Sequence, residues 1–267
     1  MDKCPETKKG IIDRIIPAVL AAVLVISLGG AARDIWNYEQ SKKVYADLNA
    51  EAVTDTPPAD DYENTDADET NPYANLEAPE IDFDSLLAKD GNVKAWLTMP
   101  AVGISYPVLY SGDDSYYLHR TLGGSYLYAG SLFLEGLNKD DFSDPNTFIY
   151  GHNMKNGTMF AKLKKYRDED TYNLYPCFWI NTPDGSAKLY HIFSVHETQS
   201  KSETYQLFSQ HDASYLAWAE QEKSLSEVPT DDPLDKNVDI VTLSTCGVHG
   251  TSERYVVDGV LVYEKKQ

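Results

Sequence analysis

The chain has 267 residues, enough for one large domain or two small ones. Its formal charge of −19 repels nucleic-acid phosphates and excludes that class of partner. Its three cysteines do not make the even-numbered disulfide framework of small secreted domains, and 19 tyrosines supply material for a sizeable core.

Residues 15–32 are an uncharged, mostly apolar run of 18, near the minimum for a membrane span. Lys3, Lys8, Lys9 and Arg14 precede it, while Arg33, Lys42 and Lys43 follow. This mild bias sets the N-terminus inside and makes residues 1–32 a cytoplasmic stub with a single-pass anchor. The alternative is a cleaved signal peptide ending at the small residues Gly30-Ala31-Ala32. In both cases the remainder is extracytoplasmic. Residues 33–50 place Ile35, Tyr38, Lys42, Tyr45 and Leu48 at near-helical spacing and read as a stalk helix. Residues 51–84 then hold 12 acidic side chains and no Lys or Arg, with Pro57-Pro58 and Asn71-Pro72 as helix breakers. Such a stretch buries too little apolar surface to offset its ordering entropy, so residues 51–80 read as a flexible acidic linker.

The globular pattern occupies residues 81–267. A short helix over 84–88 leads into recurrent short, β-branched runs at 93–97, 105–109, 131–134, 147–150, 177–181, 188–196, 238–244 and 254–263. Asn181-Thr182-Pro183-Asp184-Gly185 is a hairpin turn between two of them. Many short strands with turn signals give a mostly β domain, a sandwich or barrel. Helices interrupt it at 157–166, with Met159, Phe160, Leu163 and Tyr166 on one face, and at 209–226. In the second, Tyr215, Leu216, Trp218, Ala219 and Leu225 make the apolar stripe and Ser209 is the expected N-cap.

Two strands stop at reactive side chains. One runs from Val238 to Cys246, the other from Thr147 to His152. A thiolate at Cys246 is a nucleophile towards a peptide carbonyl, and an imidazole at His152 is suited to protonating the departing amine. Cys177 lies in an apolar strand and reads as a buried thiol, the alternative being a Cys177–Cys246 bridge. Cys246-x-x-His249 has zinc-ligand spacing, but no second ligand pair lies near it, so no metal is expected. Arg254 could be a surface salt-bridge residue; Glu253 stands beside it.

Thr242-Leu243-Ser244-Thr245-Cys246, Arg254 eight residues on, and Tyr150-Gly151-His152-Asn153-Met154 together resemble the sortases, membrane-anchored cysteine transpeptidases of Gram-positive bacteria. The likeness covers residues 81–263 and includes Gly91 to Leu97, Ile104 to Val108, Tyr116 to Leu118 and Gly130 to Leu134. Class B is the best match, because residues 207–226 look like the helix that class inserts before the catalytic strand. The resemblance implies a closed eight-stranded β-barrel, a thioester acyl-enzyme and no cofactor. It implies Cys246 as nucleophile, His152 as proton carrier, and Arg254 as the fixed cation holding substrate or oxyanion. Ser244 and Thr245 would line the groove, Tyr117 and Leu118 would match its wall, and the helix over 209–226 would wall it too. The implied substrates are surface proteins with an Asn-Pro-x-Thr-x-like C-terminal sorting signal, and the implied acceptor is a crossbridge peptide or pilin lysine amine. Gly247 and Val248 stand where some class B members carry an acidic residue. Other readings are a sortase of another class, a wall-binding module without catalysis, and a secreted cysteine protease. A class C enzyme would carry a second span near its C-terminus, where this sequence ends in Glu264-Lys265-Lys266-Gln267.

Overall fold

A computed structural model describes residues 8–55, 73, 76–230, 234, 237–246 and 252–266. Cys4, the middle of the acidic run and the 247–251 segment with His249 lie outside the described residues.

The apolar run and the stalk are one continuous helix, α1 (Lys8–Ala52), which Pro17 does not interrupt. Its apolar side chains from Ile15 to Leu28 are exposed, whereas Tyr45, Leu48 and Ala52 are buried against the domain. The Tyr45 hydroxyl donates to the Gly130 carbonyl and lies 3.1 Å from the Ser131 hydroxyl. The Asn49 amide donates to the Ser105 carbonyl at 2.9 Å. The same helix thus offers an unpartnered apolar surface at one end and a packed one at the other. Directly after it, β1 (Val53–Asp55) pairs antiparallel with β2 (Glu80–Ile81). The acidic run therefore leaves and returns at one place, beside the connection of α1 to the domain.

After α2 (Phe83–Lys89), capped by Asp82, come β3 (Val93–Met99), β4 (Ile104–Leu109), β5 (Leu132–Leu134) and β6 (Asn146–His152). α3 (Glu169–Leu174), β7 (Cys177–Asn181), β8 (Ser186–Gln199), α4 (Ala213–Ser224), β9 (Ile240–Cys246) and β10 (Glu253–Lys266) complete the chain. Eight strands close a barrel in the order β10-β8-β7-β3-β4-β5-β6-β9. Neighbours are antiparallel except β4 with β5 and β6 with β9. Alternation sorts the side chains: Ile149, Val241, Leu243 and Val257 fill the interior, while Phe148, Ile240 and Val260 face outward beneath Tyr215, Trp218 and Ala219 of α4. Each such buried aromatic or aliphatic side chain contributes about 1.5–3 kcal/mol. Cys177 is a fully buried thiol on β7 and forms no disulfide.

Two helical expectations change. Phe160, Leu163 and Tyr166 recur every third residue, and the segment forms a 3-10 helix over Phe160–Arg167, whose three-residue turn stacks all three inward. The cap of α4 is Asp212, which accepts from the Ser214 and Tyr215 amides; Ser209 lies outside the helix.

Beneath α4 is a buried polar cluster. His196 of β8 lies 3.2 Å from Glu222 of α4 and 3.9 Å from Asp258 of β10. Ser194 of β8 lies 3.0 Å from the His196 ring and donates to the Glu222 carbonyl, and Thr242 of β9 donates to Asp258 at 2.6 Å. Burial pushes Asp258 up to about 7, with His196 opposing and Glu222 adding to it. Burial lowers His196, but Glu222, Asp258 and the more distant Glu227 outweigh it and raise it overall. Both groups hold protons more tightly folded than unfolded. The stability they contribute is complete below the ordinary Asp value of about 4 and is lost as pH rises through about 7. Asp258→Asn keeps the Thr242 acceptor without the titration. The melting temperature of the wild type should fall from pH 6 to pH 8 more steeply than that of the variant, by ~2–4 °C. Parallel curves would refute the assignment.

Candidate active site

Strand register builds the site. In the parallel pair, His152 is opposite Cys246, Tyr150 opposite Ser244 and Phe148 opposite Thr242. In the antiparallel pair, Val256 is opposite Ser244 and Asp258 opposite Thr242. Continuing that register by two residues sets Arg254 beside Cys246. Because side chains alternate, these residues form three rows on one outer face. His152, Cys246 and Arg254 are at the rim; Tyr150, Ser244 and Val256 come next; Phe148, Thr242 and Asp258 lie deepest. The three sequence-predicted catalytic positions are brought together as strand-end neighbours.

His152 is half-buried, and its Nε2 lies 2.7 Å from the Leu118 carbonyl. A carbonyl only accepts, so Nε2 carries the hydrogen and Nδ1 is left as the atom that exchanges a proton. One imidazole face stacks on His119 at 5.3 Å and 18°. His119 in turn is held by the Tyr128 carbonyl, 3.0 Å from its Nδ1. Burial lowers the pKa of His152, the Leu118 bond opposes this, and His119 lowers it further. The ring is thereby biased to its neutral form.

Arg254 donates to the carbonyl of Glu253 at 2.9 Å and lines a cleft of about 330 Å³. Leu118, Phe133, Tyr150, Tyr205 and Ser200 also line it, with Asp114 and Glu135 as its acidic members. Burial raises Glu135 above the usual carboxylate range and Asp114 adds to this, while the Tyr150 hydroxyl, donating at 2.8 Å, opposes it. A fixed cation, a neutral imidazole and a strand-end cysteine are what acyl transfer from a peptide needs.

The remaining expectations divide. Leu118 lines the cleft and also supplies the carbonyl that holds His152. Tyr117 does not line it: its ring is fully buried, and its hydroxyl bonds Asn92 and Asp90. Thr245 is buried with its hydroxyl accepting from the Tyr255 amide, because it sits on the opposite face of β9 from Ser244. Ser244 is buried one row below the rim, and its hydroxyl lies 2.7 Å from that of Tyr205. α4 contributes no residue to this cleft; the turn before it does, through Tyr205. Sequence reasoning missed Tyr205, Tyr150, Glu135, Asp114 and His119. Among the described residues, His196, Glu222 and Asp258 offer metal-ligating atoms within 4.8 Å of one another, but they are buried and none lines the cleft.

A sortase-domain family model matches residues 97–262. Sortase B of Listeria monocytogenes is 48% identical over 83 residues, which are 31% of this chain and about a third (34%) of that protein. The solved structure of sortase B from Bacillus anthracis superposes with a TM-score of 0.67 at 29% identity, covering 87% of this chain and all (100%) of that one. A Staphylococcus aureus sortase B–substrate complex superposes with a TM-score of 0.63 at 25% identity, covering 67% of this chain and 84% of that one. The family model spans more than half of the chain and its relatives are sortase B proteins, so the chain belongs to the sortase family of cysteine transpeptidases and is class B-like.

Proposed function

We propose that this chain cleaves an Asn-Pro-x-Thr-x-like C-terminal sorting signal and transfers the protein to a cell-wall or pilin amine. The observation that carries this reading is the register that makes His152 and Cys246 neighbours and continues to Arg254. His152 Nδ1 takes the proton of the Cys246 thiol, and the resulting thiolate attacks the threonine carbonyl, forming a C–S bond and a tetrahedral oxyanion. The Arg254 guanidinium stabilises that oxyanion. As the intermediate collapses, the C–N bond breaks and His152 gives its proton to the leaving amine. An acceptor amine then attacks the thioester, His152 takes up its proton, and the Cys246 thiolate is released. The apolar part of α1 holds the enzyme in the membrane with the barrel outside the cytoplasm. The likeness to a sortase B solved with its substrate, that of S. aureus, supports a sorting-signal peptide as the ligand of the cleft.

Cys246→Ala should abolish turnover of a sorting peptide in a folded protein. His152→Ala and Arg254→Ala should each lower kcat/KM by at least about 10²-fold, and Arg254→Lys should fail similarly because an ammonium lacks the planar fork of donors. Near wild-type rates with Arg254→Lys would reduce the residue to a simple charge. Mass spectrometry of a peptide-library reaction supplied with candidate amines identifies signal and acceptor. Free acid accumulating quickly, with no amine incorporated, would make the protein a hydrolase and overturn the transfer reading.

Gly130 tests the positioning of His152. It has φ +57°, and a Cβ there would collide with the carbonyl oxygens of Tyr117 and Leu118. Gly130→Ala should displace the Leu118 carbonyl, shift the His152 ring resonances in NMR and lower kcat by about 10-fold or more. Unchanged resonances in a folded variant would remove this carbonyl from the account.

A further inference from the structure

Helix α1 joins the apolar run to the barrel without a break, and this fixes the height of the barrel above a membrane. Trp36 lies four residues beyond Ala32, about 6 Å along the helix axis, and Tyr38 about 9 Å. The headgroup layer is about 5–8 Å thick on each side of the hydrocarbon. The barrel reaches down to the same level. The Tyr38 ring is 6.2 Å from that of Tyr128, and Trp36 and Tyr126 line one groove of about 530 Å³ between α1 and the 121–128 loop. Val44, Leu48 and Leu122 form its apolar part. Trp36 and Tyr126 are 62% and 73% exposed, among the most exposed aromatic rings of the described residues. Large amphipathic rings at this height are the signature of a membrane interface.

We propose that Trp36 of α1 and Tyr126 of the 121–128 loop insert together into the headgroup layer, docking the catalytic barrel against the outer surface of the bilayer. The proposal rests on reading residues 15–32 as a membrane span. The occupant of the membrane-facing end of the groove, at Trp36 and Tyr126, is the lipid of that same membrane, because Trp36 and Tyr38 stand only about 6 and 9 Å beyond Ala32 and the Tyr38 ring meets Tyr128 of the loop. Attraction to anionic lipid does not drive the docking, since the chain carries a formal charge of −19. The consequence reaches the site. The His119 ring contacts Tyr126 at 6.1 Å, Tyr128 at 6.0 Å and His152 at 5.3 Å. The catalytic rim is therefore two ring contacts from the lipid surface, within reach of a substrate held in the same membrane.

The other three tryptophans, Trp96, Trp179 and Trp218, are buried, so lipid-borne quenchers report on position 36 alone in the wild type. The full chain is reconstituted in phosphatidylcholine vesicles with acyl chains brominated near the glycerol, and emission is compared with unbrominated vesicles. Wild-type emission should fall. Trp36→Phe should lose the effect, and Tyr126→Trp added to that background should restore it to a comparable extent, unchanged by added salt. Quenching at position 36 without quenching at 126 overturns the docking and leaves the anchor standing. Quenching at neither position overturns the anchor reading and the docking together.

Discussion

The site depends on one pairing, the parallel alignment of β6 with β9. A slip of one residue would take Cys246 out of register with His152 and carry Arg254 out of line. Parallel neighbours cannot be joined by a tight turn, and the chain between them passes through β7, β8 and α4 before it returns. The register must therefore be held by something other than a hairpin. The Tyr215 hydroxyl of α4 donates to the carbonyls of Pro145, at 3.1 Å, and Val238, at 2.6 Å, the residues just before the two strands. Asn146 adds two bonds to the segment ahead of α4, donating to the Gln206 carbonyl and accepting from the Phe208 amide. α4 is thus a clamp on the strand entrances, at the far end of the strands from the rim it aligns.

The rim is tuned largely by backbone. His152 acquires its tautomer from the Leu118 carbonyl, whose position relies on the close approach that Gly130 permits. The Gly130 carbonyl accepts from Tyr45 of α1, so the loop that orients the imidazole is also fastened to the stalk. The glycine and the polar bonds lie where the His152 ring is held, and the walls of the cleft are left to tyrosines whose hydroxyls cap Glu135 and Ser244.

These arrangements separate what a sequence reveals from what it does not. The eight barrel strands were legible because β-branched and aromatic runs alternate between turn signals, and their observed bounds differ mainly by a few residues at the ends. Cys246 and His152 stood out because reactive types stand at strand ends, and Arg254 only through the family resemblance; the strand register makes the three positions neighbours. Tyr117 was misplaced because its 3-10 turn sends one side chain inward and the next outward, and no periodicity distinguishes the two over four residues. Thr245 was misplaced for a simpler reason: alternation along β9 turns it to the face opposite Ser244, towards the Tyr255 amide. Leu118 acts partly through a carbonyl, which every residue has, so no side-chain signal announces it. Tyr205 stands in a polar stretch with nothing to mark it, and its value comes from lying across β6 and β9, on Tyr150 and beside Ser244.

α1 is unbroken, so a membrane that held its apolar end would be coupled directly to the barrel. A flexible spacer between anchor and barrel would let the rim sample all heights and directions, diluting its encounters with substrate in the manner of any long linker. Here the acidic run is closed at its base by β1 and β2, and α1 meets the barrel directly through Tyr45, Leu48 and Asn49. The domain therefore inherits the orientation of the helix.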